Sequence, residues 1–352
     1  MAFYQCSKCK NTWQYPIKKC PDCFLKLERV KSKKMKVIGV SKVNIPTISH
    51  PTVPYFVLLL EDEKGNKWSH KSVKEYKEGE ELRLEPVQKK EAVSIWRVKY
   101  DILEAMEKVI DLIGKPAISQ NSRILILPTL IAPKHPHFAQ NTSPQFLEGM
   151  IKYLIERGVS PKNIKVASQS FNDFPIEASA QKSQLLAVCL KNTITPLDLA
   201  KTNFIKKEKD GIVFEISQEL FNNDLIINLP ILKIDPKLKI KGAGQNVFKF
   251  LKKESYLSLT YLHEYQDLLR KIQDILPDYL TVAEAISIQR STGYTTLLGL
   301  ILAGFNSFNI DRVFAEITMI KDLPRYLKSI KIEDIPVIGR QVEELQYDVE
   351  KF

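Results

Sequence analysis

Four of the five cysteines fall within the first 23 residues, as Cys6-Ser7-Lys8-Cys9 and, ten residues on, Cys20-Pro21-Asp22-Cys23. A Cys-x-x-Cys segment turns tightly enough to aim two thiolates at one point, and two of them joined by a short hairpin close a tetrahedral four-sulfur site. Zinc suits that donor set, and iron uses the same ligands. Four protein ligands leave no position open for water, so the expected role of Cys6, Cys9, Cys20 and Cys23 is to hold a structural zinc.

Two other segments could hold an anion. Thr142-Ser143-Pro144 opens a helix just behind an apolar strand. Free backbone N–H groups at such a terminus attract phosphate or carboxylate, although a plain N-cap has the same sequence. Lys241-Gly242-Ala243-Gly244-Gln245-Asn246 is a short glycine loop close to Lys233, Lys237 and Lys239. The expected ligand set is Thr142, Ser143, Lys233, Gly242, Gly244 and Asn246. His135 and His137 are two apart on an extended segment, but no carboxylate or cysteine nearby completes a metal set, so they read as a surface loop. His50 and His70 read as strand-edge residues and His263 as solvent-facing. The sequence has no Ser-His-Asp order and no Walker loop. It leaves open whether the protein is an enzyme, with Lys233, Asp235 and Asp311 the titratable residues to test first.

The formal charge is +11, and residues 1–42 carry +9 of it: eleven Lys or Arg against Asp22 and Glu28. The cysteine-bearing end is therefore a basic knob on a nearly neutral body. It suits a polyanion, an acidic protein face or the phosphates of coenzyme A. No apolar run approaches the roughly 20 residues that span a bilayer, and the start lacks a signal-peptide pattern. With its cysteines in one metal-type cluster, the chain reads as cytoplasmic.

These sites need elements to position them. Residues 1–28 are too few to bury a core, so metal must stabilise them, with Trp13, Tyr15 and Phe24 packing around the knuckles. Residues 29–90 read as a small all-β barrel of the OB type. Its strands are residues 35–40, 55–61, 67–70 and 81–85, with a turn at Glu63-Lys64-Gly65-Asn66. Apolar residues at three- and four-residue steps (Val93, Trp96, Ile102, Met106, Val109, Ile110, Ile113) predict one helix over 92–113. From 120 onward, strands near 123–127, 164–167, 212–216, 225–229, 279–282, 297–302 and 335–338 alternate with helices near 145–157, 249–252, 261–276 and 311–319. That pattern predicts an α/β domain over 91–352 with a mainly parallel sheet.

Two stretches resemble known families. Cys6-x-x-Cys9, Cys20-Pro21-x-Cys23, residues 54–59 (Pro-Tyr-Phe-Val-Leu-Leu) and 76–82 (Tyr-Lys-Glu-Gly-Glu-Glu-Leu) resemble domain-of-unknown-function family thirty-five, a rubredoxin-like zinc ribbon followed by an OB barrel. That resemblance implies a scaffold or acyl-coenzyme A handling role beside thiolase partners, without catalysis by the metal. Residues 124–130 leading to 141–144, residues 224–233 with 242–246 after them, and residues 276–282 with 300–305 and 309–313 resemble domain-of-unknown-function family three-sixty-two. This chain departs from that pattern. It has Pro128-Thr129 for Pro-Asn, Lys233-Ile234-Asp235 for Lys-Thr-His and Gln245-Asn246 for Lys-Asn, and it lacks the cysteines of a ferredoxin insert. The first strand–loop–helix is distantly similar to the nickel-pincer lactate racemases, an analogy of fold.

The leading expectation is a protein whose α/β domain binds a small anionic ligand, with the ribbon and barrel docking a protein partner or a coenzyme A thioester. A second is single-stranded nucleic-acid binding by the basic ribbon and barrel, with Tyr55, Phe56 and Trp68 as stacking rings. A third is an isomerase or oxidoreductase.

Overall fold

The computed structural model describes residues 2–13, 17, 19–31, 34–45, 53–72, 75–83, 90–349 and 351. Tyr15, His50 and Glu85 lie outside them. The chain divides into two units, Met1–Val87 and Gln88–Phe352.

The first unit is antiparallel β throughout its described strands. β1 (Ala2–Cys6), β2 (Thr12–Trp13) and β3 (Leu27–Lys31) form a three-stranded sheet in the order β2-β1-β3. β4 (Lys34–Val43), β5 (Tyr55–Asp62), β6 (Lys67–Ser72) and β7 (Glu81–Arg83) form a second in the order β6-β5-β4-β7. The expected turn closes between β5 and β6. Asp62 accepts from the backbone N–H of Lys64 at 2.9 Å and of Asn66 at 2.8 Å, and Gly65 takes the left-handed φ of 78° that the reversal needs. Met35, Val37, Phe56, Leu58, Leu60, Trp68 and Leu82 form its core. Tyr55, Phe56 and Trp68 are all buried, which corrects their assignment as exposed stacking rings.

The second unit is a three-layer α/β sandwich. β8 (Val93–Arg97) and α1 (Ile102–Ile113) lead into β9 (Ile124–Pro128), α2 (Pro144–Glu156) and β10 (Ile164–Ser168). α3 (Ile176–Lys182) and α4 (Leu185–Lys191) precede β11 (Pro196–Asp198). A hairpin of β12 (Phe204–Lys209) and β13 (Ile212–Ser217) stands apart from the main sheet. β14 (Leu225–Leu229) returns to that sheet, and the ribbon β15 (Lys233–Asp235) with β16 (Lys239–Lys241) follows. α5 (Ala243–Asn246), α6 (Lys253–Leu262) and α7 (Tyr265–Ile275) precede β17 (Leu280–Gln289) and β18 (Thr295–Gly304). α8 (Ser307–Ile317), α9 (Arg325–Lys328) and β19 (Val337–Gly339) complete the unit.

The main sheet has eight strands in the order β11-β10-β9-β14-β17-β18-β8-β19. The first five run parallel, β18 is antiparallel to both β17 and β8, and β19 is parallel to β8. The sheet is therefore mainly parallel, as expected, with an antiparallel extension. Alternate residues of each strand feed opposite cores. Ile124 and Ile126 pack with α1 and α2, while Leu125 and Leu127 pack with α8 and the segment after β14.

One expected helix is in part a strand. Residues 93–97 are β8, and α1 begins only at Ile102, where Asp101 caps the Leu103 N–H at 3.0 Å. Val93, Ser94 and Ile95 are all buried, because β8 lies inside the sheet with α1 on one face and the core around α8 on the other. A strand covered on both faces loses its two-residue alternation, and the Val93–Trp96 spacing then mimics a helix. Likewise Lys249 lies in a 3₁₀ turn (Val247–Phe250) and not in an α-helix. Truncating the doubly covered strand should cost accordingly. Ile95→Ala is expected to lower unfolding free energy by about 2–5 kcal/mol, while Arg97→Ala, at the exposed strand end, stays within about 0.5 kcal/mol. Denaturant midpoints of the two variants check this.

Candidate functional site

The four early cysteines converge. Their sulfurs all lie within 4.8 Å of one another, and Cys9 Sγ is 3.6 Å from Cys20 Sγ. The two knuckles fold alike. Lys10 N–H donates to the Cys6 carbonyl and Phe24 N–H to the Cys20 carbonyl, and Lys10 and Phe24 both take left-handed φ values, of 62° and 57°. Cys23 N–H also points at Cys20 Sγ at 3.4 Å, as a backbone donor does toward a thiolate. This donor set fits a tetrahedral metal ion. Trp13 packs on the cluster as expected, but Phe24 is 74% exposed, because its left-handed backbone turns the ring away.

In the second unit, a cavity of about 120 Å³ opens beyond the carboxyl ends of β9 and β14. This is where open α/β sheets place ligands. Lys233, Lys241 and Lys249 line it, with Thr129, Gln245 and Asn246 as neutral polar groups and Phe171, Phe248, Tyr256 and Tyr265 as an aromatic wall. Phe171 stacks on Tyr256 with ring centroids 4.1 Å apart. The ribbon places Lys233 directly opposite Lys241, an arrangement that repels. Lys233 is buried and its Nζ donates to the Gln140 carbonyl at 2.8 Å. Lys249 Nζ donates to the Gln169 carbonyl at 2.8 Å and lies 4.6 Å from the centre of the Phe171 ring.

None of these three lysines has a carboxylate within ion-pairing distance among the described residues. Burial, followed by the positive charge of Lys241, pushes Lys233 down to about 7, with Asp235 opposing and Lys249 adding to the shift. Burial and Lys241 push Lys249 down to about 8. Gln245 Oε1 is buried at the cavity without a hydrogen-bond partner. A larger groove of about 810 Å³ lies at the start of β14 and β17, away from these lysines.

The other expected ligands hold the frame together. Thr142 Oγ1 donates to the Leu229 carbonyl at 2.7 Å and accepts from Thr129 N–H at 2.9 Å. Ser143 caps α2 by accepting from Phe146 N–H, and its own N–H donates at 2.8 Å to the buried carboxylate of Glu284. The anion at this helix terminus thus comes from the protein. Gly242 and Gly244 wrap around a second internal carboxylate. Asp311 accepts from Ala243 N–H at 2.7 Å, Gly244 N–H at 2.9 Å and the Tyr326 hydroxyl at 3.0 Å. A Cβ on Gly242 would sit 2.5 Å from Asp311 Oδ1, and one on Gly244 would sit 2.8 Å from the Phe308 ring.

Asn246 lines the cavity and fixes it to the sheet. It donates to the Leu127 carbonyl at 2.9 Å and to Asn228 Oδ1 at 2.8 Å, and accepts from Thr129 Oγ1 at 3.0 Å.

Lys233, Asp235 and Asp311 do not share one cleft. Asp235 caps the turn at Lys237 and Leu238, and Asp311 lies behind the glycine loop. His135 and His137 are exposed, their Nδ1 atoms 2.8 Å apart, with Gln184 as the other neighbour. His70 lies half-buried on the edge strand β6, and His263 is exposed.

Sequence reasoning missed Lys249 and Glu284 as site residues. Glu284 did carry a signal. It is one carboxylate within the apolar run Leu280–Ile288 of a central strand, which demands a partner.

Burial raises Glu284 from 4.5 to about 7 and Asp311 from 3.8 to about 6, against the hydrogen bonds each accepts. Between those limits the folded chain keeps protons that the unfolded chain has lost. Stability therefore falls as pH rises from about 4 to about 7. Glu284→Gln should flatten that slope above about pH 5, read from denaturant midpoints across pH. Asp311→Ala should cost on the order of 3 kcal/mol, because it strands two amides and a hydroxyl.

A family model described as "Domain of unknown function (DUF362)" matches residues 124–316. Among solved structures, one titled "Ltp2-ChsH2(DUF35) aldolase" aligns with 24% of this chain and 72% of its own, at 20% identity and a TM-score of 0.21. The lactate racemase apoprotein from Thermoanaerobacterium thermosaccharolyticum aligns with 65% of this chain and 57% of its own, at 10% identity and a TM-score of 0.40. No curated protein matches. The family match recovers the resemblance expected from the sequence for the C-terminal part of the chain. The family match runs from the first strand of the parallel sheet through β14, the glycine loop and most of α8, more than half of the chain, and the protein belongs to the DUF362 family.

Proposed function

We propose that the α/β unit binds a small anion, a carboxylate or phosphate compound, in the cavity lined by Lys233, Lys241 and Lys249. The observation that carries this reading is three lysines around one small cavity with no carboxylate to neutralise them. An uncompensated buried charge costs several kcal/mol, so such a cluster either sheds protons or receives a counter-anion. The Asn246 amide is already committed to Leu127 and Asn228, so the lysines are the donors to the anion, and the aromatic wall restricts water. Thr142, Ser143, Gly242 and Gly244 act in this reading as the frame that holds Lys233 and Asn246 in place.

Binding is then linked to protons. An anion favours charged lysines, so affinity falls as pH rises through about 7 and about 8, the values to which Lys233 and Lys249 are lowered. The charges facing them are Lys241 and Asp235, with the Tyr265 hydroxyl held neutral by burial. Sulfate stays a dianion over this range and is the direct probe. Its stabilisation of the melting temperature, against chloride at matched ionic strength, should shrink between about pH 6.5 and 8.5. Lys233→Met and Lys249→Met should each weaken sulfate binding about tenfold or more. Without anion the sign reverses. Between about 7 and 10.5 the unfolded chain holds a proton at Lys233 that the folded chain lacks, so stability rises with pH there. Sulfate that stabilises the wild type and both variants equally would refute the reading.

The first unit is read as a rubredoxin-like ribbon over residues 1–28 with a structural zinc and an OB-type barrel over 29–90, ahead of the α/β domain over 91–352. The support is the four-sulfur convergence and the antiparallel sheets beside it. Bound zinc would act as a crosslink supplying folding free energy to a head too small for a core. The basic stretch would dock a protein partner or a coenzyme A thioester. Elemental analysis should find one zinc per chain, lost in Cys20→Ser and on chelation. Loss of the metal should expose residues 1–28 to protease while the α/β unit stays resistant.

A further inference from the structure

Resting on the anion-site reading above, we infer that Lys233 is a nucleophile that forms an imine with a small oxo acid, the carboxylate of which is held by Lys241 and Lys249. Three features of the geometry meet at its Nζ. It lines the cavity. Its Nζ donates to a neutral acceptor, the Gln140 carbonyl, and among the described residues no carboxylate pairs with it to hold the amine as an ammonium ion. Its cross-strand neighbour is a second lysine. Desolvation beside another cation is a standard way to free a lysine lone pair near neutral pH, and it is consistent with the lowered proton affinity of this group. Asp235 is the acid nearest to it in charge, and it is engaged in its own turn.

The chemistry closes without a redox partner. The Lys233 nitrogen adds to the carbonyl carbon, and a C=N bond replaces C=O. The carbonyl oxygen leaves as water with the two hydrogens of the neutral amine. Lys241 and Lys249 favour ligands whose carbonyl is next to an acid group, because their charges meet the carboxylate while Lys233 meets the carbon. A cavity of about 120 Å³ limits the ligand to a few heavy atoms. The Phe171 and Tyr256 pair offers an apolar side to any methyl or methylene it carries.

The test uses the full chain, glyoxylate as the probe and borohydride as the trap. After pre-equilibration with about one equivalent of glyoxylate and a borohydride quench, peptide mass mapping should place most of the label on Lys233. The mass gain is one glyoxylic acid less one oxygen atom. Excess sulfate should suppress the label, and Lys233→Arg should lose it while keeping its melting temperature. The rate of labelling should rise through about pH 7, as Lys233 loses its proton, and fall above about pH 8, as Lys249 loses the charge that holds the carboxylate, whereas an ordinary lysine keeps gaining until about pH 10. Label spread over surface lysines, or unchanged in Lys233→Arg, would overturn the inference. Stabilisation by sulfate and glyoxylate with no trapped adduct would overturn it and leave the anion site standing. Absence of both stabilisation and adduct would remove the two together.

Discussion

The carboxylate of Asp311 holds the glycine loop in shape, and the cavity follows from that. It accepts two successive backbone N–H groups, of Ala243 and Gly244, and a hydroxyl from Tyr326. These amides open α5, a helix of one turn that could not persist alone. Held there, the segment delivers Asn246 to the ends of β9 and β14 and Lys249 to the Gln169 carbonyl. Glycine is required at 242 and 244 for closeness to Asp311 and Phe308, since neither has a positive φ. The two glycines that look like a ligand cradle in the sequence are therefore a cradle for the protein's own carboxylate.

A hydrogen-bonded chain carries this order across the sheet. Thr129, Asn246, Asn228, Thr281 and Ser307 link the ends of β9, β14 and β17 to the start of α8. Tyr279, Gln273 and the Gly244 carbonyl bring it back to the glycine loop. Buried polar networks are costly when incomplete and specify one arrangement when complete. The departure at Pro128-Thr129 fits this network, because Thr129 Oγ1 both donates to Asn246 and accepts from the Ile231 N–H at 3.3 Å.

How far the sequence reveals this depends on whether a feature is local. Ile124–Leu127 and Leu225–Leu229 read correctly as strands because doubly covered parallel strands are continuous apolar runs bounded by turns. The Ser143 cap and the left-handed Gly158 frame α2 in the sequence as in the fold. β8 did not read correctly, because its partner strands and the α8 core that covers one of its faces are placed far away in the chain. The direction of β18 is invisible for the same reason. In the site, Lys233 and Asn246 were legible from the glycine loop nearby. Lys249 was not, because a 3₁₀ turn aims it and turns of that kind have no periodic signature. Thr142 and Ser143 were correctly placed at a helix start, but the carboxylate that Ser143 meets comes from Glu284, 141 residues on.

The buried charges are sorted by sign in a way that stability alone does not explain. Glu284 and Asp311 are satisfied by backbone N–H groups, while Lys233 and Lys249 are satisfied by backbone carbonyls. The glycine loop stands between Asp311 and the lysines: Gly242 lines the cavity and would clash with Asp311 if it carried a side chain. Pairing an acid with a lysine across that loop would relieve both desolvation costs at once. Keeping them apart leaves the carboxylates as rigid internal caps and the amines as an unneutralised cluster facing open space. On the proposed reading an anion supplies the missing charge, and the cost is of the kind proteins bear at sites that must bind.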